Sequence, residues 1–241
     1  MQVINIEAIR LTAPLRDSGG RCDICGGVDT CPGGEVVFAV IGQPFQLIPP
    51  ETNPPEGWVV THQTKRHWVI IPSFAQIYGV MQSKRIYAHR PDHAEDLCFD
   101  WVQQCGYVAW VGPRQNPSFA MVYLPAGERD EHGKCKTCGG VELCPGGKWI
   151  LVAREDPVHT LHITQPKPSG MQLINKAGRY CDYVPDFLPL FKDDEAEKIL
   201  KHVPNGIRVA LWSAPPPDYM GWVLHRVFYA LDKIFFVLRK Y

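Results

Sequence analysis

Apolar residues in the first half of the chain form short runs separated by turn residues. The largely alternating segment 3–11 predicts an opening strand, and the continuous apolar run 35–41 is typical of a buried strand. Segments 58–61 and 67–71 predict two further strands around a basic turn. Residues 72–88 begin at a proline and predict a helix. This half of the chain is therefore expected to be rich in sheet.

Similar patterns return in the second half, where 119–124 and 149–153 predict strands and 185–201 predict a helix. The two halves differ after these elements. Residues 94–105 carry apolar side chains at helical spacing, whereas 207–212 have a strand-like pattern. Neither half shows the βαβ order of a parallel sheet, so the pattern predicts a sheet-rich α+β fold.

The last segment, Tyr219–Lys240, has a broad apolar face at helical spacing. It follows a run of prolines, and Asp218 is a suitable N-cap residue. The pattern predicts a C-terminal helix that packs against both halves of the chain or against a partner. The apolar residues of this face are Trp222, Val223, Val227, Phe228, Leu231, Ile234, Phe235 and Leu238.

Residues 20–34 and 133–147 share a motif rich in glycine and cysteine, C-x2-C-G-G-V-x2-C-P-G-G. Ten of the fifteen positions are identical between the two stretches. A thiol pair two residues apart, turned by glycine, is a common way for a short loop to bind a metal ion. Each loop therefore supplies three candidate thiolate ligands. They are Cys22, Cys25 and Cys31 in the first loop and Cys135, Cys138 and Cys144 in the second.

Identical residues also recur outside the two loops when the chain is shifted by 113 positions without a gap. We therefore expect a tandem duplication of a domain of about 113 residues, each copy with one Cys loop. The first copy is placed at 1–113 and the second at 114–241, with a turn-rich joint at 112–117. Pairs that match at this shift include Leu11 and Leu124, Arg16 and Arg129, Asp17 and Asp130, Pro72 and Pro185, and Ile86 and Ile199.

Three thiolates need a fourth ligand to close a tetrahedral zinc site. His89 and His202 are the histidines that the 113-residue shift relates, so we predict one imidazole per site and two zinc ions per chain. A competing interpretation makes each His a helix-end residue that interacts with terminal carbonyls. The predicted ligand sets are Cys22, Cys25, Cys31 and His89, and Cys135, Cys138, Cys144 and His202.

Other arrangements of the thiols stay open at the level of sequence. An iron–sulfur cluster would need a further ligand from Cys98, Cys105 or Cys181, which are not related by the shift. In another arrangement, the two C-x2-C turns face each other and share one zinc ion. A chain that binds no metal is the remaining alternative. Cys98 and Cys105 are expected to be ordinary core residues.

Charge and composition limit the range of partners. Lys plus Arg and Asp plus Glu both number 25, so the formal net charge is zero, which argues against a free-standing binder of bulk nucleic acid. A local basic face near the loops would still allow contact with nucleic acid. No signal peptide or membrane span is predicted, and we expect a cytoplasmic protein. The basic residues near the loops are Arg16, Arg21, Arg129, Lys134, Lys136 and Lys148.

No catalytic residue is predicted, because the chain lacks a Walker loop, a G-x-S-x-G elbow and an H-E-x-x-H motif. The first hypothesis is a non-catalytic, zinc-stabilised tandem-domain protein that binds nucleic acid or protein as a subunit of a larger complex. The second is an iron–sulfur redox protein. The third is a metal-dependent hydrolase with an open site near His89, Asp92 and His93.

Overall fold

The structure, a computed structural model, is mainly sheet with two α-helices among the residues that it describes. The chain divides into two compact units, which are residues 4–117 and residues 118–241 together with 1–3. The described residues are 2–102, 106–115, 117–154, 157–204, 210–213, 227–231 and 233–236.

The first unit is built from strands, with a single α-helix among its described residues. Strand β2 pairs antiparallel with β1 and parallel with β8, and β8 also pairs antiparallel with β6 and β7. Strands β3, β5 and β4 form a separate antiparallel sheet. The elements are β1 (Val3–Arg10), β2 (Val36–Ile41), β3 (Gln46–Ile48), β4 (Trp58–Gln63), β5 (Trp68–Pro72), β6 (Ile77–Tyr78), α1 (Val80–Ala88), β7 (Cys98–Val102) and β8 (Gly106–Val111).

The core of the first unit lies between α1 and one face of its larger sheet. Ile86 of α1 is 2% exposed and belongs to one apolar cluster with Ile9, Val37 and Ala109 of the sheet. Burial of an Ile side chain of this size contributes about 1.5–3 kcal/mol. This packing fixes the helix, and therefore the residue that follows its last turn.

The second unit repeats much of this element order. Strand β10 pairs antiparallel with β9 and with β15, β14 pairs parallel with β15, and β16 pairs antiparallel with β15 and β17. Strands β11, β13 and β12 form a separate antiparallel sheet. The elements are β9 (Phe119–Leu124), β10 (Lys148–Ala153), β11 (His159–His162), β12 (Met171–Ala177), β13 (Tyr180–Pro185), β14 (Leu190–Phe191), α2 (Asp193–His202), β15 (Ala210–Ser213), β16 (Val227–Leu231) and β17 (Lys233–Phe236).

The core of the second unit lies between α2 and strands β9 and β10. Ile199 of α2 is 2% exposed and belongs to one apolar cluster with Val122, Leu124 and Val152. The cluster also contains Ala196, one turn earlier on the same helix face. The buried face of α2 fixes the position of its last residue, His202.

The predicted C-terminal helix is wrong over 227–231 and 233–236, which form the antiparallel strands β16 and β17. The segment is rich in aromatic and β-branched residues, and β15 offers a backbone edge that pairs Ala210 with Tyr229. Pairing with that edge satisfies backbone groups that a helix would have satisfied locally. The rest of the predicted helix, 219–226, 232 and 237–240, lies outside the described residues.

Three other predicted elements are corrected. The helix predicted over 185–201 begins at Asp193, after β13 and the short strand β14. Within 94–105, Cys98–Val102 form a strand, because β8 provides an antiparallel partner along its whole length. The helix predicted over 72–88 begins at Val80, after the short strand β6. No helix within the described residues is long and apolar enough to cross a membrane.

Candidate metal centres

Each of the two helices carries a histidine at its C-terminal end, next to the Cys loop of the same unit. His89 caps the C-terminus of α1, where its backbone N–H donates to the carbonyls of Arg85 and Ile86. Pro91 follows two residues later and cannot continue the helix. His202 is the last residue of α2, and Pro204 follows it at the same spacing. The packing of each helix against its sheet therefore places its imidazole next to the Cys loop of the same unit.

The first centre consists of Cys22, Cys25, Cys31 and His89. One candidate ligand atom from each residue lies within 4.8 Å of all the others. The Nε2 atom of His89 is 3.3 Å from the Sγ atoms of both Cys22 and Cys31. His89 is fully buried, whereas Cys25 and Cys31 are half-buried.

The second centre consists of Cys135, Cys138, Cys144 and His202, and its ligand atoms also lie within 4.8 Å of one another. The Nε2 atom of His202 is 3.5 Å from the Sγ atoms of Cys135 and Cys144. The Sγ atoms of Cys138 and Cys144 are 3.7 Å apart. All four residues are buried.

These separations fit four ligands around a single small ion. With zinc bonds of about 2.3 Å to sulfur and about 2.0 Å to nitrogen, a tetrahedron has edges of about 3.8 Å between sulfurs and about 3.5 Å between sulfur and nitrogen. The observed sulfur–nitrogen separations are 3.3 and 3.5 Å. The eight described cysteines are free thiols, so the six loop cysteines are available as ligands. Both clusters are therefore compatible with metal binding.

A backbone carbonyl orients each imidazole. The Nδ1 atom of His89 lies 2.8 Å from the carbonyl oxygen of Thr12, and Nδ1 of His202 lies 2.9 Å from that of Pro125. A carbonyl oxygen only accepts, so Nδ1 must carry the proton and Nε2 presents a lone pair to the thiols. This is the arrangement by which proteins fix the tautomer of a metal-binding histidine.

Backbone N–H groups also prepare the first thiol of each loop for binding. Burial raises the pKa of Cys22, but the N–H groups of Cys25 and Ile24, each 3.3 Å from its Sγ atom, together with the side chains of Cys31 and Cys25, lower it to about 6. The N–H of Cys138 is the largest cause of the lowered pKa of Cys135, also about 6. Both residues therefore favour the thiolate, which is the form that binds metal.

The third thiol of each loop has the opposite tendency. Burial raises the pKa of Cys31 and of Cys144. A bound divalent cation would favour the thiolate at both positions, because its positive charge stabilises the negative sulfur. Metal binding should therefore release protons from these two residues.

Glycine makes the tight turn of each C-x2-C pair. Gly26 and Gly139, which follow the second cysteine of each loop, have φ of 68° and 75°. Other residues rarely adopt this left-handed conformation. Their N–H groups donate to the carbonyls of Cys22 and Cys135, closing the turn that brings the two thiols together.

Two arginines hold the loops closed, a role that the sequence did not reveal. The guanidinium of Arg16 donates from Nη1 to the carbonyls of Gly20 and Val28, at 2.7 and 2.8 Å. Arg129 makes the matching pair of bonds in the second loop, including one of 2.8 Å to the carbonyl of Val141. The sequence signal for this role is that Arg16 and Arg129 are identical at the 113-residue shift.

An aspartate organises the segment before each loop in the same way. One carboxylate oxygen of Asp17 accepts from the N–H groups of Gly19 and Arg21, and Asp130 accepts from those of His132 and Lys134. Such Asx turns satisfy backbone groups within an exposed loop. They position the antiparallel bridge that leads into the first cysteine.

The other candidate residues that the structure describes do not belong to either centre. Cys98 is exposed on β7, which corrects the expectation of a core residue, and Cys181 is buried in the sheet of β11–β13. Asp92 and His93 are exposed, while His89 faces the thiols. Cys105 lies outside the described residues. Within the described part of the chain, the clusters of three or more metal-ligating residues are the two centres.

Comparison of the chain with protein-family models, with curated proteins and with solved structures gives no match. The site itself therefore defines the class of protein. This chain carries two Cys3His clusters compatible with metal binding on a scaffold that is mainly sheet.

Proposed function

We propose that each centre binds one zinc ion and that the chain is a non-catalytic, zinc-stabilised binding protein. The observation that carries the proposal is the closed set of three thiols and one imidazole in both centres. Sulfur-rich tetrahedral sets of this kind select zinc and serve as structural staples. Each ion would join the Cys loop to the end of the helix that packs on the sheet.

The spacing of the ligands favours a single ion over an iron–sulfur cubane. Each thiolate of a cubane binds a different iron, so its ligand atoms spread around the whole cluster. In both centres all four ligand atoms lie within 4.8 Å of one another. A closed set around one ion matches this separation.

The same closed set supports a structural role for the ions. A catalytic zinc keeps a position for water or substrate, and its protein ligands number three. Here a fourth protein ligand, His89 or His202, lies against the thiols in each centre. Asp92 and His93 are exposed and do not belong to the cluster of ligand atoms in the first centre, so the hydrolase alternative gains no support.

We also infer that the two units are copies of one domain. In each, an antiparallel strand pair flanks the Cys loop, a three-stranded sheet follows, and a short strand precedes the helix that ends at the histidine. The bridges Arg16–Cys22 and Arg129–Cys135 recur at the same positions in the two loops. Corresponding residues are 113 apart, as the sequence shift requires.

For the partner we propose single-stranded nucleic acid, bound through the small sheet of each unit. In β4–β5 the exposed cations Lys65 and Arg66 lie in the turn, and Trp68 lines an open cavity of about 570 Å³ together with Lys65. The β12–β13 turn carries the exposed Arg179 beside Tyr180, which is 56% exposed. Cations beside aromatic rings bind backbone phosphates and stack on bases.

Elemental analysis of protein purified without oxygen tests the metal assignment. We expect two zinc ions per chain and a lower melting temperature after treatment with a strong chelator. Near-stoichiometric iron with a brown absorbance band would overturn the zinc assignment and move the function towards redox chemistry.

Fluorescence anisotropy with labelled single-stranded DNA, single-stranded RNA and duplex DNA tests the partner. We expect binding of a single strand that weakens as salt rises, and loss of most of that binding in Trp68→Ala/Tyr180→Ala. Trp110→Phe is a matched aromatic control on β8, outside the small sheets. Absence of binding to all three probes would overturn the nucleic-acid assignment and favour a protein partner, leaving the zinc assignment intact.

A further inference from the structure

The two centres have the same ligands but differ in access to solvent. Cys138 and Cys144 of the second centre are buried, each 9% exposed. Their counterparts Cys25 and Cys31 in the first centre are half-buried. The first cysteine of each loop is equally hidden, so the difference is confined to the second and third thiols.

An open cavity explains the access to the first centre. It has a volume of about 670 Å³, and Cys31 forms part of its wall. Met81, at the start of α1 and 62% exposed, lies at the wall as well. A small molecule in this cavity would therefore lie next to Cys31.

The charges of the cavity select the kind of molecule. Asp29 and Glu35 contribute two carboxylates to the wall, against the single guanidinium of Arg85. One N–H of that guanidinium already donates to the carbonyl of Thr30, at 3.2 Å. The cavity therefore favours a small cation over an anion.

We propose that Cys31 is a modification site at which a small cationic disulfide opens the first centre, while the second centre keeps its ion. The proposal rests on zinc being bound as proposed above. The two centres would then have different roles: the second is a permanent staple, and the first responds to thiol–disulfide chemistry.

The reaction is a single thiol–disulfide exchange. The Cys31 thiolate attacks one sulfur of the reagent, a new sulfur–sulfur bond forms, and the reagent's own disulfide bond breaks. The departing thiolate leaves with the electron pair. Cys31 is oxidised and half of the reagent is reduced, so no other oxidant is required. A zinc ion held as proposed would lose the Cys31 ligand, which would leave it open to capture by a competing chelator.

The experiment uses the full chain with Cys98→Ser and Cys105→Ser, which removes reactive thiols outside the centres. Zinc content is first measured by elemental analysis. The protein is then treated with cystamine, a dicationic disulfide, or with the dianionic dithiodiglycolate. A chromogenic chelator follows zinc release, and peptide mass mapping locates the mixed disulfide.

We expect one equivalent of zinc to leave at least tenfold faster than the other, with cystamine faster than the anionic reagent and the first adduct on Cys31. Met81→Trp should slow the fast phase by narrowing the cavity. Asp29→Asn/Glu35→Gln should abolish the preference for the cationic reagent. Neither change touches a ligand, so both variants should retain the fold.

Three results would overturn the inference: simultaneous release of both ions, first modification at Cys138 or Cys144, or a fast phase that Met81→Trp leaves unchanged. A chain that contains no zinc at the outset would instead refute the proposed function. The order of adduct formation can still be mapped in that case, so the reactivity of Cys31 is tested separately.

Discussion

Gly33, two residues after the last cysteine of the first loop, should be intolerant of even one methyl group. A Cβ added there would lie 2.9 Å from Cε1 of His89 and 2.9 Å from the carbonyl oxygen of Thr12, and would also overlap Pro14. The Thr12 oxygen is the acceptor that orients the imidazole. Gly33→Ala should therefore displace His89 from the thiols of the first centre.

The expected loss of stability follows from overpacking at Gly33, and the expected loss of metal affinity follows from the disturbed orientation of His89. Forcing a methyl group into a filled site costs typically about 2 kcal/mol, which lowers the melting temperature of a unit of this size by roughly 5–10 °C. Disturbing the hydrogen bond behind a metal ligand typically reduces metal affinity by about 10–100-fold. Thermal unfolding and competition with a chromogenic chelator measure the two effects.

Two other glycines of the first unit serve as controls. A Cβ added at Gly79 would meet no atom within 4 Å, and the φ of −68° at this position suits any residue. Gly79→Ala should therefore leave stability and zinc affinity unchanged. Gly34→Ala also meets open space, but its φ of 85° makes the backbone strain about 1–2 kcal/mol. That variant should lose stability with little direct effect on the His89 ring. Wild-type melting and zinc affinity in Gly33→Ala would refute the packing argument.

Further predictions concern the second centre, the loop and a buried tyrosine. His202→Asn should remove about one equivalent of zinc in elemental analysis, and full retention of both ions would contradict its role as a ligand. Arg129→Lys cannot reproduce the paired bonds to Gly133 and Val141, so the melting temperature should fall by a few degrees, whereas equal melting would show that these exposed bonds contribute nothing. Burial raises the pKa of Tyr78 to about 12, so the folded state keeps the proton that the unfolded state loses above its ordinary pKa of 10.0. Stability should therefore fall between pH 10.0 and about 12, and Tyr78→Phe should reduce this slope in denaturant titrations at each pH; an unchanged slope would exclude Tyr78 as its source.

The metal ligands could be proposed from sequence because their chemistry is local and repeated. Each loop places three cysteines within ten positions, and this spacing occurs twice in the chain, so both sets can be recognised without knowing the fold. The histidines are farther away, and only the 113-residue shift selected His89 and His202 from the nine histidines. The structure brings both imidazoles to the thiols. Whether these atoms bind zinc stays a prediction.

The C-terminal segment shows where sequence patterns fail. Residues 227–236 have apolar side chains at positions that satisfy a helix, but aromatic and β-branched residues also suit a strand. The choice depends on whether a sheet edge is available, and β15 supplies that edge. The same holds for Cys98–Val102, which pair with β8. Long-range pairing partners cannot be read from the spacing of one segment.

The long separation between Cys22 and His89, 67 residues, has a consequence for the order of folding. The three loop thiols lie within ten positions and could capture an ion in the unfolded chain, before any helix exists. The imidazole arrives only when the helix docks, and closing a loop of that length costs the unfolded chain about 4 kcal/mol of entropy. An unfolded chain that held the ion in this way would reduce the stabilisation of the fold by metal below the full binding affinity. Refolding of a zinc-loaded chain should therefore end with docking of the helix, which would bring His89 to the three thiols.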